Sequence, residues 1–163
     1  MGPLGLKARN LNMDYNDGDE IVNQLVQWTD MGFLKSAPAI DELPSVVPWD
    51  DSESPIALRA KGYLDVNCAH CHNPHGLAGS TRLDLTYAQE DMQQRGVYYR
   101  PTAAGNASRG RYYAIVPGNP DASFLLYRLR STVPNIRMPE TGRTVVHHEG
   151  TKMIAEWITS LGE

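Results

Sequence analysis

This chain of 163 residues has no apolar run long enough to span a membrane, and it has no block of basic residues. These absences argue against a transmembrane protein and against a nucleic-acid partner. The residues that follow Met1 also lack the charged start and the apolar run of a signal peptide. No nucleophile, general base or phosphate-binding loop stands out, so the pattern does not favour an enzyme.

The length suits one domain with an extension, and the hydrophobic fraction of 41% is ordinary for a globular protein. Charge is unevenly placed, because residues 1–54 carry ten acidic side chains against three Lys or Arg. We therefore predict an acidic N-terminal extension over residues 1–53, with one helix and a proline-rich connector. The main domain is predicted over residues 54–163.

Apolar spacing predicts several helices in this arrangement. In the extension, a helical stripe ends before Gly32 and comprises Ile21, Val22, Leu25, Val26 and Trp28. Ser54 and Pro55 mark the start of a helix that runs into Cys68. Thr86 and Gln89 form a capping box for a further helix. A last amphipathic helix contains Met153, Ile154, Trp157, Ile158 and Leu161, in which Met153 is expected to fill the core.

Both cysteines of the chain lie in one short stretch, whose sequence is NCAHCHNPHG. Cys68, Cys71 and His72 fit the spacing C-x-x-C-H, in which two thiols can form thioethers to the vinyl groups of one haem. The adjacent imidazole of His72 can then bind the iron, and a backbone carbonyl near Pro74 can accept its other N–H. The motif predicts one covalent haem c with its iron.

Three other interpretations of the cysteines stay open at this point. A zinc half-site would need distant His147 and His148 to complete it, since there is no second C-x-x-C. A thioredoxin-type redox pair would need a preceding βαβ pattern, which is not present. A plain disulfide is geometrically feasible, but it leaves His72 unexplained.

A second iron ligand is predicted at Met138, which lies in the stretch VPNIRMPETGRT. Pro134, Pro139 and Gly142 prevent a continuous helix there, and a thioether on a stiff loop suits a haem iron. His147 and His148 are the alternative ligands. Among the arginines that could reach a haem propionate, Arg137 is our prediction.

The order of these elements resembles the class I c-type cytochromes over residues 54–161, with CAHCH early and RMP late. The local amino-acid sequence is also similar to that of cytochrome modules at the C-terminal end of larger exported bacterial proteins. The resemblance implies an all-α, class I cytochrome c-like fold with crossed first and last helices and long irregular connections, preceded here by the N-terminal helical extension. Gly62 and Tyr63 on the first helix and Trp157 on the last match the family's contact between a small and an aromatic residue.

The resemblance also implies roles for the motif residues. Cys68 and Cys71 carry the thioethers, His72 is the proximal iron ligand and Met138 the distal one. The expected function is one-electron transfer to a redox partner, in a periplasmic or otherwise exported bacterial protein. The alternatives are a haem subunit or tail module of a larger redox enzyme or assembly, and a haem enzyme or sensor with an open distal site.

Overall fold

Short helices and one small hairpin make up the regular structure of the computed structural model, which describes residues 7–100 and 105–163. The chain divides into two units, Met1–Val47 and Pro48–Glu163. The first unit contains α1 (Ala8–Leu11), β1 (Asp14–Asn16), β2 (Ile21–Asn23) and α2 (Gln24–Asp30). The second contains α3 (Ile56–Asn67), α4 (Phe124–Arg130) and α5 (His148–Ser160). Short 3₁₀ turns lie at Ile40–Glu42, Gly79–Thr81 and Gly105–Ser108.

Strand β2 of the hairpin takes up the first part of the helix that was predicted to end before Gly32, including Ile21 and Val22. The carboxylate of Asp17 accepts the backbone N–H groups of Asp19 and Glu20, both at 3.1 Å, and Gly18 has a φ of 110°. This tight turn pairs β1 with β2 in antiparallel register. The helix begins only at α2, where the side chain of Asn23 accepts the N–H of Leu25 at 3.0 Å.

The predicted all-α, class I cytochrome c-like fold is therefore wrong. The structure is mixed, with five short α-helices and a two-stranded antiparallel sheet among the described residues. The helix predicted from Thr86 also does not form. Asp84 accepts the N–H of Thr86, and Asp91 accepts the N–H of Gln93, so side chains hold the backbone in turns. The predicted division at residues 53 and 54 stays a prediction.

The core of the second unit forms where α5 packs against α3 and α4. Helix α5 buries residues at helical spacing, and Ile154 and Ile158 are fully buried. Met153 is 3% exposed and lies in this core, as predicted. The whole buried cluster comprises Ala60, Tyr63, Leu64, Ala69, Leu85, Ile115, Leu126, Leu129, Met153, Ile154, Trp157 and Ile158.

Tyr63 of α3 and Gly150 of α5 lie in close contact. A Cβ atom at Gly150 would lie 2.6 Å from Cε2 of Tyr63, so only glycine fits there without a shift. The small residue of this contact lies on the last helix and the aromatic one on the first. The predicted contact of Gly62 and Tyr63 with Trp157 stays a prediction; Tyr63 and Trp157 both belong to the buried cluster.

Substituting Gly150→Ala should lower the free energy of unfolding by about 1 kcal/mol. Overpacking against Tyr63 costs about 1–3 kcal/mol, and the higher helix propensity of alanine offsets about 1 kcal/mol. Urea unfolding followed by circular dichroism measures the change. Glu156→Ala on the exposed side of α5 is the matched control and should change stability by less than about 0.5 kcal/mol. Equal stability of the Gly150→Ala variant and the unsubstituted protein would contradict the close contact.

Candidate haem-attachment site

The two cysteines lie where α3 ends and the chain turns. The N–H of Cys68 donates to the carbonyl of Leu64 at 2.9 Å, which continues the helical pattern to the helix end. The N–H groups of Cys71 and His72 then donate to the carbonyl of Cys68 at 3.1 and 2.9 Å. This turn keeps the two thiols and the imidazole together. Both thiols are free and partly buried.

The surroundings of Cys68 argue against two of the other interpretations. The pKa of its thiol is raised to about 12, mainly by burial and also by Cys71, while Arg143 partly opposes the shift. A reactive redox cysteine needs a lowered pKa instead. Within residues 7–100 and 105–163, no three His, Cys, Asp or Glu side chains are grouped as a metal site would need. The alternative zinc half-site with His147 and His148 is not assembled among these described residues.

His72 has the protonation state that an iron ligand needs. Burial lowers the pKa of its imidazole to about 4, with smaller contributions from Arg128 and His70, so the ring is neutral at pH 7. Nδ1 lies 3.4 Å from Oγ1 of Thr81, whose hydroxyl donates to the carbonyl of Ala78 at 2.6 Å. Oγ1 can therefore accept the Nδ1–H, which leaves the lone pair of Nε2 available for a metal.

The acceptor near Nδ1 of His72 is the hydroxyl of Thr81 and not a backbone carbonyl near Pro74, as we had expected. The carbonyl of His72 itself accepts the N–H of Leu85 at 3.0 Å, so both ends of the residue are tied to the segment that follows the motif. No spacing in the sequence pointed to Thr81. The 3₁₀ turn at Gly79–Thr81 brings it back to His72.

Substituting Thr81→Val should raise the reduction potential of a haem bound at His72. Without an acceptor at Nδ1 the imidazole is a weaker electron donor, which disfavours the oxidised iron. Loss of one hydrogen bond of about 1 kcal/mol corresponds to a rise of about 40 mV. Redox titration followed by visible absorption measures it, and Thr81→Ser, which keeps the hydroxyl, is the matched control. A potential that is the same in both variants would show that the hydroxyl has no such role.

Met138 lies on the loop between α4 and α5, and its backbone is tied to α4. Its N–H donates to the carbonyl of Arg128 at 3.1 Å, and Nε of Arg128 donates to the carbonyl of Ile136 at 2.7 Å. The guanidinium of Arg128 is also close enough to His72 to lower its pKa. Arg128 thus connects the loop of Met138 with the imidazole, although nothing in the sequence had distinguished it. The Met138 side chain is partly buried.

Arg137, the predicted propionate contact, is held by its own loop. It donates from Nε to the carbonyl of Glu140 at 3.3 Å and from Nη1 to that of Thr132 at 3.5 Å. Its charge lowers the pKa of neighbouring Arg143, although burial has the larger effect. Its role toward a propionate stays a prediction.

Arg143 lies closer to the cysteines. Its guanidinium donates to the carbonyls of Leu129 and Ser131, and its charge interacts with Tyr63 and Cys68. Its Nε is buried and has no hydrogen-bond partner. An orphaned cationic donor of this kind is costly unless an anion joins it.

The residues around the motif fit an anionic haem. Arg128 places a positive charge near His72, and Arg143 places one near Cys68. Arg137 is close enough to Arg143 to lower its pKa. The carboxylate of Glu140 lies 3.6 Å from Nη2 of Arg128. The two propionate groups of a haem would supply the missing negative charge.

The alternative ligands His147 and His148 lie at the start of α5, as predicted. His147 is the N-cap residue, and its Nδ1 lies 3.2 Å from the hydroxyl of Tyr63. His148 is exposed. The Nδ1 atom of His147 is thus engaged with a phenol. Met138 as the second ligand stays a prediction.

No family model, curated protein or solved structure matches this chain. Among the residues that the structure describes, none of the helices is long and apolar enough to cross a bilayer.

Proposed function

We propose that this chain is a one-electron carrier with a single covalent haem c. The observation that carries the proposal is the C-x-x-C-H turn, with a neutral His72 whose Nδ1 faces Thr81. Cys68 and Cys71 would hold the group through thioethers, His72 would bind the iron through Nε2 and Met138 through its sulfur. When bound, the haem supplies the reversible one-electron couple.

The protein's own contribution is to set the potential and to limit access of water. The neutral thioether of Met138 favours the reduced iron compared with harder ligands. Arg128 and Arg143 add positive charge next to the motif, and this also disfavours the more positive oxidised state. Both effects raise the potential, which suits a carrier that accepts electrons from weak reductants.

Location and partner follow from this chemistry. Thioether attachment needs dedicated machinery, which in bacteria acts outside the cytoplasmic membrane, so we propose a periplasmic or otherwise exported protein. The partner is a redox protein, met in a small transient contact or within a larger assembly.

The test is a visible spectrum of protein produced in a host that attaches haem to C-x-x-C-H motifs. After extraction with acid and acetone, colour should stay with the polypeptide, and alkaline pyridine should give the spectrum of a haem joined through two thioethers. The control is the same chain produced without the attachment machinery, which should lose its colour on extraction. A colourless protein from the competent host would refute the proposal and favour a disulfide.

A further inference from the structure

A tyrosine and a histidine form a hydrogen-bonded pair across the contact between α3 and α5. The hydroxyl of Tyr63 lies 3.2 Å from Nδ1 of His147, and the Tyr63 side chain is only 8% exposed. The absence of a side chain at Gly150 lets the two rings approach, because a Cβ there would contact both. Neither the haem ligands nor the thioethers use this pair.

The surroundings of His147 set the direction of the hydrogen bond. Its Nε2 lies 3.9 Å from a carboxylate oxygen of Glu149, which favours the tautomer with hydrogen on Nε2. Nδ1 then accepts the phenolic hydrogen of Tyr63. The ring of Trp49 packs edge-on against the imidazole with centroids 4.6 Å apart, which fixes its orientation.

The phenol has no easy way to lose its proton to solvent. The pKa of Tyr63 is raised to about 12, mainly by burial and also by Cys68, while Arg143 opposes the shift. Removing an electron from a phenol makes its proton strongly acidic, so a base within hydrogen-bond distance makes the oxidation easier. His147 is such a base, and the carboxylate of Glu149 stabilises the imidazolium that results.

We propose that Tyr63 and His147 form a redox-active pair in which oxidation of the phenol is coupled to proton transfer. An outer-sphere one-electron oxidant takes one electron from Tyr63, and the phenolic proton moves to Nδ1 of His147. The products are a neutral tyrosyl radical, an imidazolium and the oxidant reduced by one electron. Returning the electron reverses the proton transfer. This activity goes beyond carriage of an electron on a haem, and it does not depend on one being attached.

The placement of the pair gives it a use. Tyr63 is close enough to Cys68 for their charges to interact, whereas the side chain of His147 is 41% exposed. An oxidising equivalent produced near the cysteines could therefore pass to Tyr63, whose phenolic proton is then held by His147. The carboxylate of Glu149, 3.9 Å from Nε2 of His147, is also largely exposed.

The test uses photogenerated tris(bipyridine)ruthenium(III) as the oxidant and electron paramagnetic resonance as the readout, on the full chain with ferric haem. The unsubstituted protein should give a tyrosyl signal that is lost in Tyr63→Phe. His147→Gln keeps a hydrogen-bond acceptor but removes the base, so radical formation at Tyr63 should slow on the order of 100-fold. Tyr98→Phe is the matched control, since that ring is 55% exposed and packs edge-on against Tyr113. It should leave the signal unchanged.

Two results would overturn the pair: a signal that persists in Tyr63→Phe, or a His147→Gln variant that matches the unsubstituted protein. If circular dichroism shows that a variant does not fold, the rate of tyrosine oxidation in the unsubstituted protein is compared between H₂O and D₂O. Coupled proton transfer requires slower oxidation in D₂O, and equal rates would contradict the pair. The spectrum after extraction tests covalent haem attachment independently of the Tyr63–His147 pair. A Tyr63 radical in a chain without covalent haem would refute the haem proposal and leave the Tyr63–His147 pair supported.

Discussion

Replacing Cys68 and Cys71 together by alanine should remove all colour that stays with the polypeptide after extraction. The two sulfurs are the only thiols in the chain, so no other thioether can form. Because His72 and Met138 are unchanged, the variant can still bind haem reversibly, and its colour should pass into the acetone. The pyridine spectrum of the extracted protein measures the effect, and complete loss is expected.

The single variants Cys68→Ala and Cys71→Ala are the matched controls for this result. Each leaves one sulfur in the turn that follows α3, so each should keep the haem through one thioether. One vinyl group then stays unreacted, and the reduced pyridine band should move to longer wavelength. Covalent colour in the double variant would mean that attachment occurs elsewhere.

Substituting Met138→Ala should leave the iron without its second protein ligand. The ferric spectrum should lose the weak methionine-to-iron band and become that of a water-bound or five-coordinate iron that binds cyanide readily. The reduction potential should fall on the order of 100 mV, which corresponds to about 2 kcal/mol of lost preference for the reduced state. Visible absorption and redox titration measure both changes.

Met92→Ala is the control for this ligand assignment. Met92 is 38% exposed and belongs to the same unit, so its loss should change neither the band nor the potential. If Met138→Ala leaves both unchanged, Met138 is not the ligand. Ready binding of cyanide by the unsubstituted protein would instead favour the enzyme or sensor with an open distal site.

What could be predicted from the sequence is what depends on near neighbours in the chain. The C-x-x-C-H spacing needs only one turn, and that turn forms through bonds from Cys71 and His72 to Cys68. The start of α5 at His148 and the burial of Met153 were also readable from local spacing. Thr81, Arg128 and the packing of Gly150 on Tyr63 depend on how distant segments meet, which periodicity does not encode.

The wrong fold class has a physical origin in the first unit. Ile21 and Val22 fit a helical stripe, but the same apolar residues fit a strand equally well over so short a run. The bonds from Asp17 to the turn and the cap at Asn23 decide between the two, because they form a hairpin and start the helix later. Side-chain bonds of Asp84 and Asp91 likewise prevent the helix expected from Thr86.

The site has two parts that lie far apart along the polypeptide. The thiols, His72 and Thr81 belong to one continuous segment, whereas Arg128 and Met138 follow after a long intervening stretch. Closing so large a loop costs more chain entropy than forming a single turn, so the second part is expected to reach its place later in folding. A nascent chain would therefore present its cysteines for modification well before the methionine arrives. The order of synthesis and the order of assembly would then coincide. The side of the haem that Met138 is proposed to cover would be formed last.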